Sequence, residues 1–222
     1  MEIYKLTESV LNEATKKSGD KLTITDLKQG VKNPNRVNVF VNGKFSFSLD
    51  IAQVVEMGVK VGRKISLSEL TEFQKASEFG KLYQRALEWV LLRPRSEREL
   101  VDYLNKKIFE KKLNKDYVDT VVERLKEKKY IDDKKFAEYY VENRFVEKGI
   151  SRKRLKMELK KKGVCDSVIS EVLGARNDED EIRKIIIKKQ GKYDDEKMMA
   201  YLCRQGFSYD LVKNVMEEYY ND

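Results

Sequence analysis

Histidine is absent from all 222 residues. That absence removes Ser-His and Cys-His nucleophile pairs, the commonest general base, and most zinc sites. Only two cysteines occur, Cys165 and Cys203, too few for a metal cluster or a disulfide framework. Both fall near the apolar stripes of helices and read as core thiols. Two prolines and eleven glycines leave long stretches without a helix breaker and argue against disorder. No apolar run approaches the ~20 residues of a membrane span, and the N-terminus lacks a signal-peptide profile. A soluble, cytoplasmic protein is expected. Gly58 and Gly62 lack the spacing and the terminal Lys-Ser/Thr pair of a phosphate loop. The carboxylates form no recognisable catalytic constellation, so neither enzymatic activity nor a cofactor or metal site is expected.

Charge is abundant instead. Charged residues make up 38% of the chain and the net charge is +8, unevenly spread. Residues 80–131 carry +5 and residues 132–176 carry +4, whereas 177–222 carry −3. A basic middle beside an acidic end points to an anionic partner, most often nucleic acid. A plainly solvated lysine-rich surface is the competing reading.

From Lys21 to Leu49 the apolar period is two. Leu22 and Ile24, then Val37, Val39 and Val41, lead through Asn42-Gly43 to Phe45, Phe47 and Leu49. Asn-Gly between alternating apolar residues is a strong hairpin signal. The pattern predicts a three-strand sheet with both phenylalanines in its core, followed by a short helix over 51–57 capped by Asp50 and stopped at Gly58. Residues 1–20 form a weakly helical extension, and 21–79 a small β-containing domain. From about Ser68 the period becomes helical.

Within the helical part, one pattern recurs. Ser151, Leu155, Leu159 and Gly163 match Asp194, Met198, Leu202 and Gly206 at an offset of 43 positions, and Ser96, Leu100 and Leu104 begin an earlier copy. The expected fold is mainly α: three tandem three-helix repeats (80–131, 132–176 and 177–222) in an elongated, curved array. Repeats bury their cores against neighbours and present a long surface, which favours a binding scaffold over a pocket enzyme. Ser96-Glu97-Arg98-Glu99 reads as a capping box. A lysine-rich connection over Ile108–Asn114 follows it.

The middle copy holds the densest charge. Arg152, Lys153, Arg154, Lys156, Lys160, Lys161 and Lys162 face a single acid, Glu158. A short basic second helix is similar to that of helix-turn-helix readers. It offers no Asn or Gln for base edges, so phosphate contact is the better chemistry. Arg93, Arg95 and Arg98 cluster around Pro94, where guanidinium forks suit carboxylate or phosphate. Helix-dipole compensation at Arg93 and an intrahelical Arg98–Asp102 pair are the structural alternative.

These residues carry a resemblance. Ala86-Leu87 with Arg93-Pro-Arg-Ser96-Glu-Arg-Glu99-Leu100, Asp132-Asp133-Lys-Lys-Phe136-Ala137, Val141-Glu-Asn-Arg144, the stretch Gly149–Val164 and Gly206-Phe207-Ser208-Tyr209 resemble the RecX family of recombination regulators over residues 80–220. The resemblance implies a non-enzymatic, monomeric regulator that lies in the groove of the RecA–DNA filament. Such a protein inhibits strand exchange, ATP hydrolysis and coprotease function in homologous recombination, DNA repair and the SOS response. Direct binding of DNA through phosphates is the alternative. Arg93, Arg95, Arg98, Arg144, Lys148, Arg152, Lys153, Arg154, Lys156, Lys160, Lys161 and Lys162 are the candidate contacts for partner or DNA. The chain departs from the family in residues 1–20, in the longer 108–114 connection, and in Gln205, where arginine is frequent.

Overall fold

The computed structural model describes residues 22–31, 33–174 and 176–221, without the side chains of 145–148 and 221. The expected extension over 1–20 lies outside the described residues. The chain divides into two compact units, 1–85 and 86–222, each taken by itself.

In the first unit, β1 (Leu22–Gln29), β2 (Arg36–Val41) and β3 (Lys44–Asp50) pair antiparallel in sequence order. The turn between β2 and β3 places Asn42 at φ 49 and Gly43 at φ 77, the two left-handed residues that a type I′ hairpin requires. A fourth strand, β4 (Lys64–Ile65), pairs with the outer side of β1. Two residues are too few for alternation to reveal a strand, which is why three were expected. Asp50 caps α1 (Ile51–Glu56): its carboxylate accepts from the Gln53 amide at 2.7 Å, and Gln53 Oε1 accepts from the Asp50 amide at 3.1 Å. Leu70 and Phe73 of α2 (Leu67–Leu91) join Ile24, Val39, Phe47 and Leu49 in the core.

The two phenylalanines of β3 separate. Phe47 is core, but Phe45 is exposed and meets Phe40 edge-on, ring centroids 6.0 Å apart. Val39 pairs with Phe47 while Phe40 pairs with Phe45, so Ser46 is an extra residue on β3. That bulge turns Phe45 to the opposite face from the one strict alternation assigns it.

The second unit begins with the last turns of α2, whose Ala86 and Val90 are buried. There follow α3 (Glu97–Lys111), α4 (Tyr117–Glu127), α5 (Asp133–Lys148), α6 (Arg152–Lys161), α7 (Asp166–Leu173), α8 (Asp178–Lys189), α9 (Asp195–Arg204) and α10 (Tyr209–Asn221). The repeated pattern is visible in atomic terms. Ser96, Ser151 and Asp194 cap α3, α6 and α9, accepting from the amides of Glu99, Arg154 and Lys197 at 3.1, 3.2 and 2.9 Å. Each cap satisfies a backbone donor that the first turn leaves unpaired, an effect of about 1 kcal/mol. The next stripe positions are buried in all three: Leu100 and Leu104, Leu155 and Leu159, Met198 and Leu202. Phe136, Ile150, Val164 and Ile169 complete one core, and Ile182, Ile186, Phe207 and Val212 another.

Three local expectations change. Glu99 does not reach back to its cap; its carboxylate goes to Arg93 and Lys162. The 108–114 connection is half helix, since Ile108 extends the Leu100–Leu104 stripe into the core and carries α3 on to Lys111. Cys165 is exposed and Cys203 half-buried. Cys165 occupies the cap position of α7, outside its apolar stripe, the position that Ser208 holds in the last copy.

Candidate functional site

The copies are joined by a repeated device. The first amide of α3, that of Glu97, donates to Asp133 Oδ1 at 2.9 Å, and the first amide of α6, that of Arg152, donates to Asp178 Oδ1 at 2.8 Å. Each acid is the first residue of the following copy's first helix, α5 or α8, so a helix N-terminus is satisfied by its neighbour. Burial raises the Asp133 pKa, against the amide bond that lowers it. The glycine that ends the next second helix packs on the same spot. A Cβ on Gly163 would lie 2.8 Å from Arg98 Cβ, and one on Gly206 would lie 2.6 Å from Ser151 Oγ. Ser151 and Ser96 are accordingly buried.

This framework sorts the twelve candidate cations. Glu158 on α6 is surrounded: Arg144 donates to it through Nη2 at 2.9 Å and Nε at 3.0 Å, the Tyr140 hydroxyl at 2.8 Å, and Arg154 Nε at 3.3 Å. Burial alone would raise its pKa; these donors, Arg144 foremost, hold it below the usual carboxylate range. Arg154 also donates to the Arg204 carbonyl at 2.7 Å, capping α9 from the preceding copy. Glu99 holds Lys162 at 2.7 Å and Arg93 at 3.3 Å, with its side chain only 14% exposed. It too is pushed up by burial and held low by its cations. Arg144, Arg154, Lys162 and Arg93 are therefore committed to fastening helices together.

Arg95 sits over Trp89, its guanidinium carbon 3.9 Å from the ring centre, and Trp89 stacks on Tyr103 with centroids 4.5 Å apart. Burial and nearby Arg93 lower its pKa, and its Nε has no hydrogen-bond partner among the described residues. A part-buried guanidinium held over a ring in this way is a packing element.

Lys156 and Lys160 share Asp166 at 3.7 and 2.8 Å. These groups are about half exposed, and pairs of that kind contribute about 0–1 kcal/mol. An anionic partner can displace Asp166 at little cost. Arg98, Arg152, Lys153 and Lys161 are exposed and form no side-chain ion pair among the described residues. The Arg98–Asp102 pair that the spacing allows is not made. The side chain of Lys148 lies outside the described residues. A cationic face thus survives on α6, comprising Arg152, Lys153, Lys156, Lys160 and Lys161, with Met157 exposed among them. Charge counting alone overstates this face, because it does not show which cations Glu99 and Glu158 hold.

Comparison with known proteins places this arrangement. Residues 22–66 match the Regulatory protein RecX N-terminal domain, and residues 132–173 match the RecX second three-helix domain. The regulatory protein RecX of Bacillus subtilis (strain 168) is 31% identical over 211 residues, covering 90% of this chain and 78% of that protein. This chain belongs to the RecX family. The RecX protein of Clostridium perfringens (strain SM101) is 30% identical, and the match covers 97% of its length. The fold agrees. A crystal structure of a regulatory protein RecX superposes with a TM-score of 0.66 at 19% identity, covering 88% of this chain and 99% of that one. RecX from Lactobacillus salivarius gives a TM-score of 0.53 at 25% identity over 64% of this chain and 97% of its own. The second-domain match spans α5 to α7, so the surviving cationic face of α6 lies inside the RecX three-helix unit. Among the described residues no group of His, Cys, Asp and Glu could hold a metal ion, and no helix is long and apolar enough to cross a membrane.

Proposed function

We propose that this chain is a non-enzymatic regulator that binds the RecA–DNA filament and mainly inhibits its recombinase, ATPase and coprotease activities. The relatives' shared description as regulatory proteins supports the reading. The observation that carries it is the exposed row Arg152, Lys153, Lys156, Lys160 and Lys161 on α6, which meets filament carboxylates or DNA phosphates while Glu99 and Glu158 keep their own cations. In this reading the three units over 80–131, 132–176 and 177–222 act together as one cytoplasmic monomer. Regulation of this kind serves homologous recombination, DNA repair and the SOS response.

The test is RecA's DNA-dependent ATPase and strand exchange with stoichiometric protein. The wild type is expected to suppress both, and R152E/K153E/K161E to lose most of that effect with its thermal melt unchanged, because exposed substitutions shift stability by about 0.5 kcal/mol at most. Unchanged ATPase and strand exchange with the wild type would sink the proposal. The same exposed cations favour a second reading, autonomous non-specific DNA binding. It requires duplex or single-strand affinity without RecA whose logarithm falls steeply with log salt.

A further inference from the structure

The extra length of α3 has a surface of its own. The equivalent helices α6 and α9 have 10 residues each, whereas α3 has 15. Its added turn is held firmly, with Ile108 buried beneath it. The turn closes on Lys112 at φ 53, and the Leu113 amide donates to the Ile108 carbonyl at 3.1 Å. On this fixed turn Phe109 points into water, 86% exposed.

Phe109 is not isolated. Arg98, Asp102, Asn105 and Phe109 follow one another at helical spacing on the outer face of α3, and all are exposed. The face begins where Arg98 lies against Gly163, at the C-terminal end of α6, and runs roughly 16 Å to Phe109 at 1.5 Å per residue. Lys106 and Lys112 lie three residues to either side of Phe109 in sequence and Lys115 follows in the connection, all exposed and without an ion pair among the described residues. Glu110 in this turn is held by Lys107 at 2.9 Å; Asp102, one turn before Lys106, and Asp116, next to Lys115, are the other acids nearby in sequence. Helix-dipole complementarity accounts for a lysine on the last turn. It gives no reason for an aromatic ring displayed among cations.

We propose that the outer face of α3 is a binding surface for single-stranded nucleic acid, with Phe109 stacking on a base. The phosphates run along Arg98, Lys106, Lys112 and Lys115, and Asn105 stands within reach of a base edge. A ring surrounded by cations matches a chain that alternates flat apolar bases with negative phosphates. The partner is a single strand because a duplex hides its base faces in the stack, and exposing them costs unstacking. This surface is separate from the α6 row and does not depend on the RecA reading.

The test uses the full chain and a fluorescein-labelled oligothymidylate, with no RecA present, read by anisotropy. F109A is expected to weaken binding about tenfold or more, from the usual worth of one base–aromatic stack. F109L is expected to behave like F109A, and F109W to restore wild-type affinity. On an abasic strand with the same phosphates, all four proteins should bind alike. Equal binding of oligothymidylate by F109A and wild type would overturn the proposal. So would the same loss on the abasic strand, or F109L matching the wild type. A loss of RecA inhibition in F109A with oligonucleotide affinity intact would assign the ring to a protein pocket and equally refute it. Because the oligonucleotide assay contains no RecA, a failed RecA reading leaves its outcome unaffected.

Discussion

Alanine at three glycines separates backbone strain from packing between copies. Gly163, Gly206 and Gly191 have φ of 86°, 97° and 79°, so a side chain at any of them is disfavoured by about 1–2 kcal/mol. They differ in what a new Cβ would meet. At Gly191 nothing lies within 4 Å; at Gly163 the Arg98 Cβ is 2.8 Å away, and at Gly206 the Ser151 Oγ is at 2.6 Å and the Arg154 Cβ at 3.1 Å. The neighbours at Gly163 and Gly206 belong to the preceding second helix, at its capped N-terminus, where the chain cannot shift without breaking the joint. Overpacking of that kind adds about 1–3 kcal/mol. G191A should therefore cost about 1–2 kcal/mol, and G163A and G206A about 2–5 kcal/mol each. Urea denaturation followed by far-ultraviolet circular dichroism measures the difference as a shift in midpoint at nearly constant slope. Because repeat units are stabilised mainly by nearest neighbours, G206A should also broaden the transition as α8–α10 uncouple from the preceding helices. If G163A and G206A were no less stable than G191A, the glycines would matter only for their φ, and close packing at the joints would be refuted.

Two further outcomes follow from the same geometry. Glu158 and Glu99 titrate below their ordinary value of 4.5, so their contribution to stability is complete above that pH and is lost as pH falls through their lowered values. Asp133, raised above its ordinary 3.8, works in the opposite direction, its contribution shrinking as pH rises past that value. Acid unfolding below about pH 4.5 should be shallower in E158Q, which should also lose about 1–3 kcal/mol at neutral pH, because the amide keeps one acceptor oxygen but loses the charge and sets an NH2 donor against Arg144 or Tyr140; an unaltered acid transition would show that the cluster does not stabilise the fold. Leu155→Ala and Leu159→Ala, both fully buried, should each cost about 2–5 kcal/mol in the same denaturation assay, and losses below about 1 kcal/mol would place them outside the core.

Much of this protein was legible from residue order alone, because the signals involved are local. Asn42-Gly43 implies a hairpin through the left-handed backbone it tolerates. The spacing of Leu155 and Leu159, repeated as Met198 and Leu202, implies a helix face that must be buried. Ser96, Ser151 and Asp194 can be read as caps because the amide each one satisfies is three residues away. Local reasoning fails where one extra or distant residue decides. Ser46 makes a bulge that turns Phe45 outward, and Ile108 turns an apparent connection into helix and so displays Phe109.

The candidate cations show the boundary most clearly. Residue order determined that residues 152–162 would be strongly positive, since charge is a property of composition. Which of those charges remains available was decided only by tertiary structure. Arg144 reaches Glu158 across 14 positions and Lys162 reaches Glu99 across 63, contacts that no periodicity encodes. Arg152, Lys153 and Lys161 are exposed and form no side-chain ion pair among the described residues. Folding consumes the cations that a buried carboxylate can hold and leaves the remainder facing solvent.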